Sequence, residues 1–169
     1  MLVDLTVAIE VGMILAAFLF MKRTSELSNA VSLSKFTEEN GGLLEEKDPD
    51  AISKKIVPPH VEVYEINGPF FFGIADSLQN VLPNLELPPK VFILRMRKVP
   101  AIDATGLHAL NDFFDKCKRK GTMLILSGVK EELAKELKRF GVEKKIGKQN
   151  IFPHIDAALK RADEMLKSS

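Results

Sequence analysis

Two polar residues, Asp103 and Thr105, are the strongest candidates for chemistry, and they lie in the stretch VPAIDATGLHAL. An acid beside a hydroxyl could take part in nucleophilic catalysis, but a nucleophile needs a nearby base, and no obvious histidine completes a triad. The hydroxyl could instead be phosphorylated as a switch. Asp is also among the best N-cap residues, because its carboxylate accepts the free amide hydrogens of a first helical turn. The residues alone leave these three uses open.

The loop around Asp103 could also be a binding surface. Ala104, Thr105 and Gly106 follow Asp103 and are small, so a partner or an anion could approach the exposed amides at the start of a helix. We therefore take these four residues as the candidate binding loop for a partner or an anion.

Other motifs of enzymes are absent from the sequence. It contains no glycine-rich phosphate loop with a lysine, no dinucleotide fingerprint and no G-x-S-x-G elbow. The three histidines, His60, His108 and His154, share no metal-ligand spacing. Cys117, the one cysteine, falls in helical register with apolar residues and is predicted to be buried. We predict a protein without catalytic activity, metal or cofactor.

The composition is that of a globular protein, with 46% hydrophobic and 28% charged residues in a chain of 169. The formal net charge of +1 provides no strong field to attract nucleic acid, so no nucleic-acid partner is expected. A basic run ends one predicted helix, where it complements the helix dipole. That run is Lys116, Lys118, Arg119 and Lys120.

The chain divides into three parts. Leu5 to Met21 is almost wholly apolar, is close to the ~20 residues that cross a bilayer, and is followed by Lys22 and Arg23. We predict a transmembrane helix over residues 1–23, at the end of a membrane domain; a core or dimer-forming helix of a soluble protein is the alternative. Residues 24–59 are rich in Ser, acids and Lys and are predicted to be a linker, whose first part could continue the helix to about Phe36.

The remaining residues, 60–169, alternate between strand and helix patterns. VEVYEI, KVFILRM and TMLILSGV predict strands, while GPFFFG and NIF are weaker candidates. IADSLQNVL, Ala104–Lys120, Lys130–Phe140 and a final stretch from Ile155 to Leu166 predict helices. We expect an α/β fold, with a mixed β-sheet of about four to five strands, helices packed against it, and an N-terminal apolar helix.

VPAIDATGLHAL, with GPFFFGIAD about thirty residues earlier, resembles the STAS domain of SulP-family anion transporters. The opening DLTVAIEVGMILAAFLFMKR is similar to the last transmembrane helix of these transporters. The resemblance implies a STAS fold, and a cytoplasmic C-terminal regulatory domain of a multi-pass secondary transporter of sulfate-like anions in the plasma (inner) membrane. Such a domain would act by protein contact and allosteric control of transport. The partners it implies are the transporter membrane domain, a second copy in a homodimer, and an acyl carrier protein or a nucleotide.

The resemblance extends to bacterial anti-sigma-factor antagonists, in which a serine that is phosphorylated follows the aspartate. Ala104 stands at that position here and has no hydroxyl. Thr105 is the next residue and is the candidate for modification. The alternative to a transporter domain is therefore a freestanding switch protein of the antagonist type, regulated by phosphorylation.

Overall fold

The central sheet is built from strands whose side chains are apolar on both faces, which is typical of parallel strands covered by helices. The computed structural model describes residues 2–26, 29–32, 50–85 and 87–167. Within them the sheet has the order β1-β2-β3-β4-β5; β1 is antiparallel to β2 and the other pairs are parallel. The strands are β1 (Asn29–Ser32), β2 (Val61–Asn67), β3 (Val91–Lys98), β4 (Met123–Ser127) and β5 (Ile151–Phe152).

The helices in the described part of the chain precede, connect or follow these strands. They are α1 (Leu2–Glu26), α2 (Phe72–Val81), α3 (Ala104–Arg119), α4 (Glu131–Arg139), α5 (Val142–Ile146) and α6 (Ile155–Lys167). Short 3-10 turns occupy Ile52–Lys54, Leu82–Asn84 and Lys148–Asn150. The prediction of an α/β fold with a mixed sheet and helices packed against it is confirmed.

One face of the sheet packs against α2, α3, α4 and α5 and forms the larger core. Phe92 lies at its centre, with its ring stacked on Tyr64 and edge-on to Phe113, at centroid distances of 5.0 Å in both cases. Buried side chains at helical spacing on α3 supply much of the facing layer, because they repeat every three to four residues. They are Leu107, Leu110, Phe113 and Cys117.

The other face is covered by α6 and by residues 50–57, which we call the strap. Ile155, Ala158 and Ala162 of α6 pack against the strands here, together with Ile52 of the strap. Ala51 and Ile52 are fully buried, and Lys55 Nζ lies 2.8 Å from a carboxylate oxygen of Asp156. The strap therefore belongs to the packed body. The division into residues 1–23, 24–59 and 60–169 remains a prediction.

The N-terminal apolar helix is present as α1, with its described large hydrophobic side chains exposed. In the described part of the chain, no helix has the length and apolarity to cross a membrane. The transmembrane span over residues 1–23 stays a prediction. The linker does not continue this helix to Phe36, because α1 ends at Glu26 and β1 follows at Asn29.

Three local expectations differ from the structure. GPFFFG does not form a strand: Phe70 makes a single bridge with Ile102, and α2 begins at Phe72. β1 was not expected, since NAVS is short and only one of its residues is a strong strand former. α5 was also not expected; it follows α4 after two residues, Phe140 and Gly141, and the φ of 76° at Gly141 ends the first helix and reorients the chain.

Burial makes the thiol of Cys117 unreactive. Desolvation raises the pKa of Cys117 from 9.0 to about 12, against smaller opposite effects of a backbone hydrogen bond and of Lys120. The thiolate is the reactive form, and at pH 8 a group with a raised pKa stays protonated. We expect a thiol reagent such as DTNB to leave the native chain unlabelled at pH 8 and to label one thiol after unfolding in guanidinium chloride. Rapid labelling of the native chain would contradict the burial.

Candidate functional site

The candidate loop joins β3 to α3 at the carboxyl edge of the sheet, and Asp103 is the N-cap of α3. Its backbone is extended, with φ −98° and ψ 179°, and its side chain accepts a hydrogen bond from the amide of Gly106 at 2.7 Å. The Asp103 carbonyl accepts from Leu107 N at 2.9 Å, which begins the helical hydrogen bonds. The predicted capping role of Asp103 is thus what the geometry shows, and such a cap typically contributes ~1 kcal/mol.

A second loop, from Gly68 to Phe71, holds the first in place. Phe70 N donates to the carbonyl of Ala101 at 2.9 Å, and Asp103 N approaches the Phe70 carbonyl at 3.5 Å. Phe70 itself is fully buried, so its ring fixes this loop in the core. The two stretches that carry the family resemblance, thirty residues apart in sequence, therefore meet in space. Sequence reasoning missed this role of Phe70, because nothing local in GPFFFG signals a contact with a distant loop.

Gly106 is required by the close approach of these two loops. A Cβ at this position would overlap the Phe70 carbonyl oxygen and would lie 2.9 Å from Ile102 Cγ1. Gly106 is buried in the first turn of α3, and its backbone is that of a helix. Glycine is therefore needed because a side chain would not fit, and not because the backbone dihedral φ is unusual. This residue brings the start of α3 into contact with the Phe70 loop.

The remaining loop residues face solvent. Ala104 and Thr105 are exposed, while Asp103 and Ile102 are half-buried. One turn along α3, exposed His108 pairs with Asp112, with Nε2 and Oδ2 3.5 Å apart. The surface offered to a partner is thus small, with one hydroxyl and one imidazole.

This arrangement suits recognition better than bond-breaking chemistry. The Asp103 carboxylate is engaged by the Gly106 amide, and the His108 imidazole is beside Asp112 rather than beside Thr105. Among the described residues no cluster of His, Cys, Asp and Glu has the geometry to hold a metal ion. What the site offers is an exposed first helical turn on a rigid base, to which another molecule can dock.

The fold and this loop pair define a family. The sequence profile of the STAS domain matches residues 53–158, and the chain belongs to the STAS domain family.

The relatives are proteins or domains described as belonging to sulfate or SulP transporters. The chain is 30% identical over 156 residues to YvdB of Bacillus subtilis (strain 168), which is assigned as a sulfate transporter; the match covers 92% of this chain and 27% of YvdB. A crystal structure of a sulfate transporter family protein from Wolinella succinogenes is 57% identical, with a TM-score of 0.70, and covers 71% of this chain and 98% of that one. The STAS domain of a SulP transporter from Vibrio cholerae is 29% identical, with a TM-score of 0.62, over 68% of this chain and 89% of that one. This chain thus spans about a quarter of the length of the curated relative.

Proposed function

We propose that this chain is the cytoplasmic C-terminal regulatory domain of a secondary transporter of sulfate-like anions in the plasma membrane. The observation that carries the proposal is the exposed first turn of α3, held on a rigid base by Asp103, Gly106 and Phe70. The likeness to YvdB and to the two transporter-family structures supports it.

The domain acts by contact. A substrate anion would cross the membrane through other parts of the parent protein, so this domain changes transport by favouring one state of those parts over another. Such control requires that its contacts differ in free energy between the states. The exposed residues Ala104 and Thr105 are the part of the loop that a membrane domain, a second copy, a carrier protein or a nucleotide would meet first.

Size and location of the native protein test the first part of this proposal. An antibody against residues 60–169 should detect, in membranes of the source cells, a polypeptide much larger than the 18.8 kDa of this chain. A cytosolic band near 18.8 kDa would contradict the transporter role and would support a freestanding switch.

Anion uptake by the parent transporter tests the regulatory part. Ala104→Arg places a long cation on the exposed turn and is expected to lower sulfate uptake by about fivefold or more, the lower end of common allosteric couplings. Ala157→Arg makes the same change on the exposed side of α6 and should leave uptake unchanged. Uptake must be compared at equal amounts of membrane-inserted transporter, and equal uptake by all three proteins would overturn the role of the loop.

Thr105 favours a second candidate function, a phosphorylation switch. Its position in the first turn of α3 is exposed, so a kinase could reach the hydroxyl. A phosphate there would add negative charge at a helix N-terminus, where the dipole stabilises it. Phosphopeptide mass spectrometry on the native protein decides whether this modification occurs, with Thr105→Val as the unmodifiable control.

A further inference from the structure

A buried carboxylate on β2 lies close to three cations at the end of β3, the strand that leads into the candidate loop. Glu65 on β2 is only 2% exposed. Its Oε1 lies 2.5 Å from Arg97 Nε and 3.7 Å from Arg95 Nη1, and its Oε2 lies 3.2 Å from Lys98 Nζ. All three cations come from the end of β3, so one side chain of β2 fixes the whole strand end.

A register shift between β2 and β3 brings the third cation into this cluster. Glu65 pairs with Arg95 and Asn67 pairs with Lys98, so two steps along β2 correspond to three along β3. Regular alternation would put Arg95 and Arg97 on one face of the sheet and Lys98 on the other. One extra residue on one strand is the pattern of a β-bulge, which redirects side chains, and Lys98 here lies beside the carboxylate shared with the two arginines.

Arg95 connects this cluster to the strap. Its Nη2 donates a hydrogen bond of 2.6 Å to the backbone carbonyl of Asp50, the first residue of the strap. The next two residues, Ala51 and Ile52, are buried against the sheet, and the amides of Lys54 and Lys55 donate to the carbonyls of Ala51 and Ile52. The position of Arg95 therefore fixes where the strap meets the sheet.

Lys98 connects the same cluster to the candidate loop. It is the last residue of β3, its carbonyl accepts from Gly68 N at 3.3 Å, and Val99 N donates back to the Met96 carbonyl at 3.0 Å. Gly68 begins the loop that carries Phe70, and Val99 begins the loop that ends at Asp103. Both halves of the candidate site thus start from the strand end that Glu65 holds.

We propose that Glu65 couples the strap to the candidate loop, so that a change in how the strap is seated alters the conformation of residues 99–106, and the reverse. The strap follows α1 and β1 in the chain and directly precedes β2, so this coupling gives the regulation a route between the N-terminal part and the candidate loop. That regulatory meaning rests on the proposed function, whereas the coupling within the domain does not.

Hydrogen exchange of the full chain, read by mass spectrometry, tests the coupling from both ends. Lys98→Ala removes a half-exposed side chain at the loop end, and Ile52→Val removes one buried methylene-sized group at the strap end. We expect Lys98→Ala to speed exchange of the Lys54 and Lys55 amides, and Ile52→Val to speed exchange of the Val99 and Leu107 amides. Mutations along coupled networks change free energies enough for a rise of about two- to thirtyfold.

Two matched control variants distinguish coupling between the two segments from a general loss of stability of the domain. Lys90→Ala makes the same substitution just before the opposite end of β3, and Ile125→Val makes the same deletion in the same apolar cluster on β4. Neither control should alter both segments. Faster exchange confined to the segment next to each mutation, or equal effects in the controls, would overturn the proposal. Hydrogen exchange is measured without any transport assay. The coupling can therefore be found even if the proposed transporter function is wrong, and it can be disproved even if the parent protein transports normally.

Discussion

Glu65→Ala is expected to lower the free energy of unfolding by about 3–5 kcal/mol, because removal of the carboxylate leaves the buried Arg95 guanidinium without its counter-charge. Glu65 and Arg95 are each only 2% exposed, so water cannot replace the lost carboxylate without opening the end of the sheet. Urea unfolding followed by far-UV circular dichroism measures the change, since the chain has no Trp and one Tyr for fluorescence.

Glu131→Ala is the matched control for this prediction. Glu131 pairs with Lys135 at 2.9 Å, but the two side chains are 79% and 70% exposed. An exposed pair of this kind contributes about 0–1 kcal/mol. Both variants replace a paired glutamate by alanine, so the difference between them measures the effect of burial. If both lowered the free energy of unfolding by the same small amount, the Glu65 cluster would be open to solvent.

The second large effect is expected at Gly106. Gly106→Ala should destabilise the domain by about 1–3 kcal/mol, as overpacking of a close contact does. Alanine favours a helix over glycine by up to about 1 kcal/mol, so the sign of the result decides whether the contact with Phe70 outweighs helix propensity. Thermal or urea unfolding gives the stability, and binding by any partner of the loop should weaken in parallel.

Gly12→Ala provides the same substitution where nothing crowds it. Gly12 lies within α1, and a Cβ there would meet no atom within 4 Å. This variant should be as stable as the parent chain or slightly more stable. A Gly106→Ala chain that behaved like Gly12→Ala would show that the two loops do not stay in contact in solution.

The sequence was sufficient to predict the helices and strands that have strong hydrophobic periodicity. Strong periodicity located β2, β3, β4 and the helices α2, α3, α4 and α6 to within a few residues, because each buries a continuous apolar face. The same reasoning could not find β1, whose place at the sheet edge depends on pairing with β2 and not on its own residues.

The candidate site was predictable only in its local part. Capping by Asp103 follows from residue type and position, and the structure has that hydrogen bond. The contact of Gly106 with Phe70 is tertiary, and the cluster around Glu65 depends on a bulge that shifts pairing by one residue. Glu65 and Arg95 lie among apolar residues in two strands, which indicates that buried charges pair, but the sequence does not show with which partner.

The two faces of the sheet are covered unequally, and this determines where a stable recombinant fragment of the domain can begin. Four helices shield one face, whereas the other relies on α6 and on a strap whose first residue precedes β2 by eleven positions. A fragment begun at His60 would lack Ile52 and would present to water the apolar hollow that this side chain fills. Exposed apolar openings promote self-association, so the smallest well-behaved recombinant unit of this kind should start at Asp50 or earlier.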